Sequence, residues 1–321
     1  MTRKAVKILF IAITLLATTW LIAMTDLQKI PNFSFNRLEK LHRVKGPLSS
    51  EDGWLLQFVN DTYLFPPSPE PYNLLKVNDR SYSLETYGNS WWYIHKYVRH
   101  LFTDEPPGVF LEAGALDGEF LSNTLWLEKT LGWTGLLIEP DKDSFRLLQK
   151  KHRKAWTSNA CISKESYPME TYLVTPQVWD KKHELWANRM FYPANAHLLD
   201  TGSDQESATN FLPAMDHFSL VQCFPLITFV RTLGIETIDF LSLDLQGIEK
   251  VILRNFPWSK VNVRVVIIED FAEVVDNDFI QFMEKINFQL MNRDDLPKSQ
   301  DHIYINRDET RLIGKFKEWP K

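Results

Sequence analysis

The chain has 321 residues, of which 44% are hydrophobic, 13% aromatic and 24% charged. That suffices for one generous α/β domain with additions, or two small domains, and argues against long disordered stretches. A net charge of −5 argues against a nucleic-acid partner, which would need a basic face for phosphates. Two cysteines, Cys161 and Cys223, exclude a disulfide scaffold. They leave either one bridge in an oxidising compartment or, given their apolar contexts, two buried thiols.

In chain order, residues 8–24 (ILFIAITLLATTWLIAM) carry no charge and reach the lower limit for a bilayer span, with Lys7 able to snorkel. Arg3, Lys4 and Lys7 precede the run, whereas Asp26 and Lys29 after it nearly cancel. The bias predicts a cytosolic tail (1–7), a signal anchor (8–24) and everything beyond it lumenal or extracellular, as in a single-pass type II membrane protein. The alternatives are a cleaved signal peptide or a buried core helix. Asn32-Phe-Ser34 and Asn60-Asp-Thr62 are glycosylation sequons, each weak evidence alone. Residues 25–50 read as a stem and 51–107 as a helical extension. The extension holds a helix over 54–64 that ends at Pro66-Pro67-Ser68-Pro69, and another over 90–102 with Trp91, Ile94, Tyr97, Val98 and Leu101 on one face.

From Gly108 strands and helices alternate. Strands are predicted at 109–113, 135–139 and 155–162, with helices at 122–131 and 143–152 between them. The irregular stretch 163–218 reads as an insertion or lid. Helices at 226–233 and 248–256 then alternate with strands at 238–243 and 263–268. A last helix at 278–286 precedes a hairpin of 288–291 with 302–306. This spacing means βαβ units and a mostly parallel, Rossmann-like sheet with a C-terminal antiparallel hairpin, in a domain spanning 108–310.

Two motifs carry chemistry. Glu112-Ala-Gly114-Ala-Leu-Asp117-Gly118 follows the first strand, where glycine lets a ligand approach the backbone, and Glu139 closes the second strand at a distance suited to ribose hydroxyls. A dinucleotide site would prefer G-x-G-x-x-G. The acidic residues here would repel a pyrophosphate and accept a cationic sulfonium, so S-adenosylmethionine (SAM) fits better than NAD. A βα turn that merely needs glycine would look the same. The second motif, Ser242-Leu-Asp244-Leu-Gln246-Gly247-Ile-Glu249, ends a later strand, and Glu269-Asp270 ends the next. Acidic residues at successive strand ends are costly unless they have a use. His95, His100 and His302 lack metal-type spacing, and no metal is expected.

Residues 109–163, with VQCFPL (221–226) and DFLSLDLQGIEKVIL (239–253), resemble the FkbM family of SAM-dependent methyltransferases, over roughly residues 55–306. The resemblance implies a SAM-dependent methyltransferase fold and cofactor contacts at Glu112, Gly114, Asp117, Gly118 and Glu139. It places Asp244 and Glu249, as catalytic candidates, in the family's D-x-E-G-x-E element. Gln246 replaces the middle glutamate of that element and cannot take a proton near neutral pH. With the N-terminal anchor and the Pro-rich PPSPEPYNL segment, the resemblance extends to membrane-anchored arthropod members that act in export of EGF-receptor ligands from the endoplasmic reticulum. That implies two functions to separate. One is a trafficking factor with an EGF-type ligand precursor as protein client, in the endoplasmic reticulum, Golgi, endosome or plasma membrane. The other is an active O-methyltransferase acting on a lumenal glycan or small molecule. A purely structural stem protein leaves the acidic strand ends without a reason.

Overall fold

The computed structural model describes residues 44–75, 89–176, 193–199, 217–269, 276–291 and 301–318. The apolar run 8–24, Asn32, Asp270 and much of the insertion lie outside the described residues. Among the described residues no helix is long and apolar enough to cross a membrane.

The first helix, α1 (Gly53–Tyr63), starts where the Asp52 carboxylate accepts the Trp54 and Leu55 N–H groups, and gives way to the short strand β1 (Leu64–Phe65) before the prolines. Helix α2 (Asn89–Phe102) buries Ile94, Tyr97, Val98 and Leu101, the face set by its apolar spacing. The βαβ series follows as β2 (Val109–Ala113), α3 (Leu125–Leu131), β3 (Thr134–Ile138), α4 (Lys142–Lys150) and β4 (Trp156–Ser158). Next come β5 (Cys161–Ile162), β6 (Met169–Thr175), β7 (His197–Leu198) and β8 (His217–Phe224). The series closes with α5 (Leu226–Thr232), β9 (Thr237–Leu243), α6 (Glu249–Asn255), β10 (Asn262–Glu269), α7 (Asn277–Lys285), β11 (Phe288–Leu290), β12 (Asp301–Asn306) and α8 (Thr310–Glu318).

The large sheet runs β1-β4-β3-β2-β9-β10-β12-β11. Strands β4, β3, β2, β9 and β10 are parallel, while β1, β12 and β11 add antiparallel edges. The chain is therefore an α/β protein with a large mixed sheet, consistent with a methyltransferase fold. Alternate residues of each central strand enter opposite cores, as the two-residue strand period requires. Leu111, Leu136, Leu241 and Val266 pack with α1, α5, α6 and α7 on one face. Phe110, Leu137, Phe240 and Val265 pack with α2, α3, α4 and α8 on the other.

Besides the unforeseen edge strand β1, the structure departs from the sequence reading in three places. The strand expected over 155–162 is broken: β4 stays in the large sheet, and β5 joins a second sheet of order β5-β8-β6-β7. The cause is covalent and local. Cys161 pairs in register with Cys223 and is bonded to it, and the Ser158 hydroxyl accepts the Ala160 N–H at the bend. Second, the stretch expected to be irregular contributes β6, β7 and the start of β8 to that sheet. Third, α8 had no counterpart in the sequence reading, and it docks on α2 by stacking Phe316 against Tyr97 at 4.8 Å.

Candidate functional site

From β2 the chain winds outward through β3 and β4, then returns to the other side of β2 with β9 and β10. The carboxyl ends of β2 and β9 therefore flank the reversal of strand order, where an open parallel sheet leaves a crevice. Ala113 stands beside Leu243, and the Asp244 N–H donates to the Ala113 carbonyl at 3.0 Å. Gly114 has φ +83°, and a Cβ there would lie 2.0 Å from the Asp244 carbonyl oxygen. Glycine is demanded at 114 by the backbone at the neighbouring strand's end, which occupies the place of a side chain, and Gly114 itself lines the crevice.

Glu112, Glu139 and Asp244, each from a different strand end, line this one crevice with Gly114. Their environments differ. Glu112 is buried and saturated: it accepts from the Ser122 hydroxyl (2.9 Å), the Thr124 hydroxyl and the Asn123 N–H (2.8 Å). Burial pushes its carboxyl up, and the nearby Arg153 pulls it down. Arg153, itself buried, also donates to Glu128, the Gly118 carbonyl and the Thr124 hydroxyl, so this hub fixes the 118–124 turn. Glu139 takes the Leu116 and Asp141 N–H groups, each at 2.8 Å. Burial pushes its carboxyl up to about 8; the Asp141 N–H opposes this, while the charges of Asp141 and Asp244 add to it.

Asp244 is the exposed member. Its Oδ1 accepts from the Gln246 amide at 2.9 Å, and the same nitrogen donates to Glu269 Oε2 at 3.1 Å. Burial, the Asp244 charge and a hydrogen bond with Asp244 push the Glu269 carboxyl up. Gln246 is buried, does not line the crevice and holds φ +58°. Leu116 and Leu121, which do line it, also hold positive φ (50° and 55°). Such left-handed backbone at residues other than glycine gathers at functional sites.

The remaining cofactor and catalytic candidates, Asp117, Gly118 and Glu249, do not line the crevice. Asp117 Oδ1 caps the Glu119 and Phe120 N–H groups, and its Oδ2 lies 3.3 Å from Lys151. Gly118 (φ +74°) packs so closely on Leu148 that a Cβ would sit 2.3 Å from its methyl. Glu249 is buried under its own loop, accepting from the Leu245 and Gly247 N–H groups; burial holds its carboxyl up at about 7 against the pull of these donors. The opposite wall was not read from the sequence. Cys161, Ile162, Leu173, His197 and Leu198 of the small sheet face the same crevice. Their signal was weak, because the strands that carry them are short and separated by long connections.

A crevice at a strand-order reversal is where open parallel sheets bind their ligands, and this one is lined by carboxyls and a left-handed glycine. A family model described as the methyltransferase FkbM domain matches residues 112–290, more than half of the chain, and the chain belongs to that family. No curated protein and no solved structure matches it.

Proposed function

We propose that the crevice binds SAM and that the domain is an O-methyltransferase of the secretory-pathway lumen, with Asp244 as its general base. The observation that carries this reading is the contrast between exposed Asp244 and buried Gln246. The position where the family has its middle glutamate does not reach the crevice, so the amide there removes no base from it.

The residues present fit the cofactor. The carboxyls of Glu139 and Asp244 suit a cation, and Gly114, lining the crevice without a side chain, presents backbone to a ligand. Bound, SAM supplies an electrophilic methyl group on a sulfonium. Glu139, fixed by two N–H donors, is placed to hold ribose hydroxyls. Asp244, anchored through Oδ1 by Gln246, takes the proton of an acceptor hydroxyl. Glu112 acts through the turn it organises and serves as a positioning residue. The Cys161–Cys223 bond supports a lumenal or extracellular setting, since such bonds persist in oxidising compartments. The sequon at Asn60, exposed on α1, suits the same setting.

A second reading follows the resemblance of the whole chain to the arthropod protein Star. In it the anchored domain escorts EGF-receptor ligand precursors through the secretory pathway. It rests on that resemblance, since a fold does not by itself fix a function. SAM titrated into the purified full chain, with Glu139→Ala beside it, separates the two. Micromolar binding that the substitution weakens at least tenfold is the expected result. No heat and no shift in melting temperature at millimolar SAM would overturn the methyltransferase reading and leave the escort one.

A further inference from the structure

The two sides of the crevice are chemically unlike. One presents the carboxyls of the large sheet. The other presents Cys161 and Ile162 from β5, Leu173 from β6 and His197 and Leu198 from β7, mostly apolar and with no carboxylate among them. With the base of a bound nucleoside against this wall, as the SAM-binding reading requires, we infer that the Cys161–Cys223 bond holds the wall in place, so that nucleoside binding and the disulfide stabilise each other. The inference rests on the SAM-binding reading and extends it to the control of that site.

The connectivity of the small sheet supports it. Strand β8 bears the wall: β6 pairs with it from Met169↔Cys223 to Thr175↔His217, and β7 hangs on β6 through Leu173↔Leu198 and Val174↔His197. Strand β5, which follows β4 of the large sheet after Asn159-Ala160, meets β8 only at Cys161↔Cys223 and Ile162↔Phe224. One further backbone bond, Ser163 N–H to the Phe224 carbonyl, continues that ladder. A parallel pair this short gains little from its hydrogen bonds, so the covalent link sets the spacing between the wall and the carboxyl side. The bond closes a loop of 62 residues that contains all of β6 and β7. Opening it frees that loop to explore conformations in which Leu173 and Leu198 no longer face the crevice.

Access runs the same way. Cys223 is fully buried, and Cys161, only 3% exposed, lines the crevice with what surface it has. A small dithiol reaches the bond from the crevice, and a base lying on the wall covers that approach. In the reductive step the protein disulfide takes up two electrons and two protons and becomes two thiols. The dithiol loses the same and closes to its own disulfide, through a mixed disulfide with one cysteine. Linkage then requires that whatever factor reduction takes from nucleoside affinity, bound nucleoside takes from the ease of reduction.

The test uses the full chain, SAM and adenosine as probes, and dithiothreitol as reductant. Dissociation constants are measured by calorimetry on the oxidised chain, the reduced chain and Cys161→Ser with Cys223→Ser. Near-ultraviolet circular dichroism reports whether each form stays folded. Reduction is expected to weaken both ligands at least tenfold in a folded protein. Saturating SAM is expected to slow the appearance of thiols in the native chain at least tenfold. Equal affinities within twofold in folded oxidised and reduced forms overturn the inference while leaving SAM binding intact. Absence of binding even in the oxidised chain overturns both. Should the double variant not fold, the protection experiment on the native chain decides, and thiols that appear at one rate with and without SAM overturn the inference.

Discussion

Glu112 and Asp244 end adjacent parallel strands and line one crevice, yet they do different work. Glu112 has its oxygens filled by Ser122, Asn123 and Thr124 with Arg153 close by; Asp244 stands exposed with one oxygen held by an amide. An acidic strand end is thus a place rather than a role. Burial and saturation make the carboxylate a structural hub, whereas exposure beside a crevice leaves it available for a proton.

That contrast breaks most visibly at Arg153. Arg153→Ala leaves Glu112 and Glu128 buried without their cation, and urea melts should show a loss of about 3–5 kcal/mol. A variant as stable as the native chain would show that the hub carries no weight.

Glu139 sharpens the comparison through pH. With its carboxyl at about 8, a bound cation or ribose must drive off a proton below that pH. SAM affinity should therefore strengthen up to about tenfold per unit as pH rises toward 8 and then level off, because one group releases one proton. Glu139→Gln should give a flat profile. The same group acts on stability with the opposite sense. Its folded value exceeds the ordinary 4.5, so its contribution is full below 4.5 and is lost as pH rises through 8. Thermal melts between pH 5 and 9 should fall with pH, and less steeply in the glutamine variant.

Asn123 ties the two regions together, its amide donating to the Ser242 hydroxyl on β9 at 3.0 Å. Asn123→Ala should cost about 1 kcal/mol in denaturant melts. The smallest effect belongs to Asp244→Asn, an exposed change expected to leave stability within about 0.5 kcal/mol. A loss as large as that of Arg153→Ala would place Asp244 in the framework and remove the distinction.

The central strands were legible because burial on both faces demands mainly apolar runs such as VFLEA and TIDFLSL, and the helices between them kept their spacing. Helix α8 was not. It buries only Leu312 and Phe316 and has Gly314 between them, a pattern too sparse to stand out. The break between β4 and β5 was hidden because a long-range disulfide causes it. In the site, residue type revealed which strand ends are acidic but not where each side chain turns. Asp117 and Glu249 carry the same charge as Asp244 but bend back to cap their own loops. Arg153 lies 41 positions beyond Glu112, with no periodicity to connect them.

The outermost strands of the large sheet are β1, with two residues, and β11, with three. Each offers too few unpaired backbone groups to template a strand from another molecule. Among the described residues, eight strands of apolar sheet thus leave little opportunity for edge-to-edge polymerisation. Grafting longer strands onto either rim would forfeit that protection while leaving the crevice untouched.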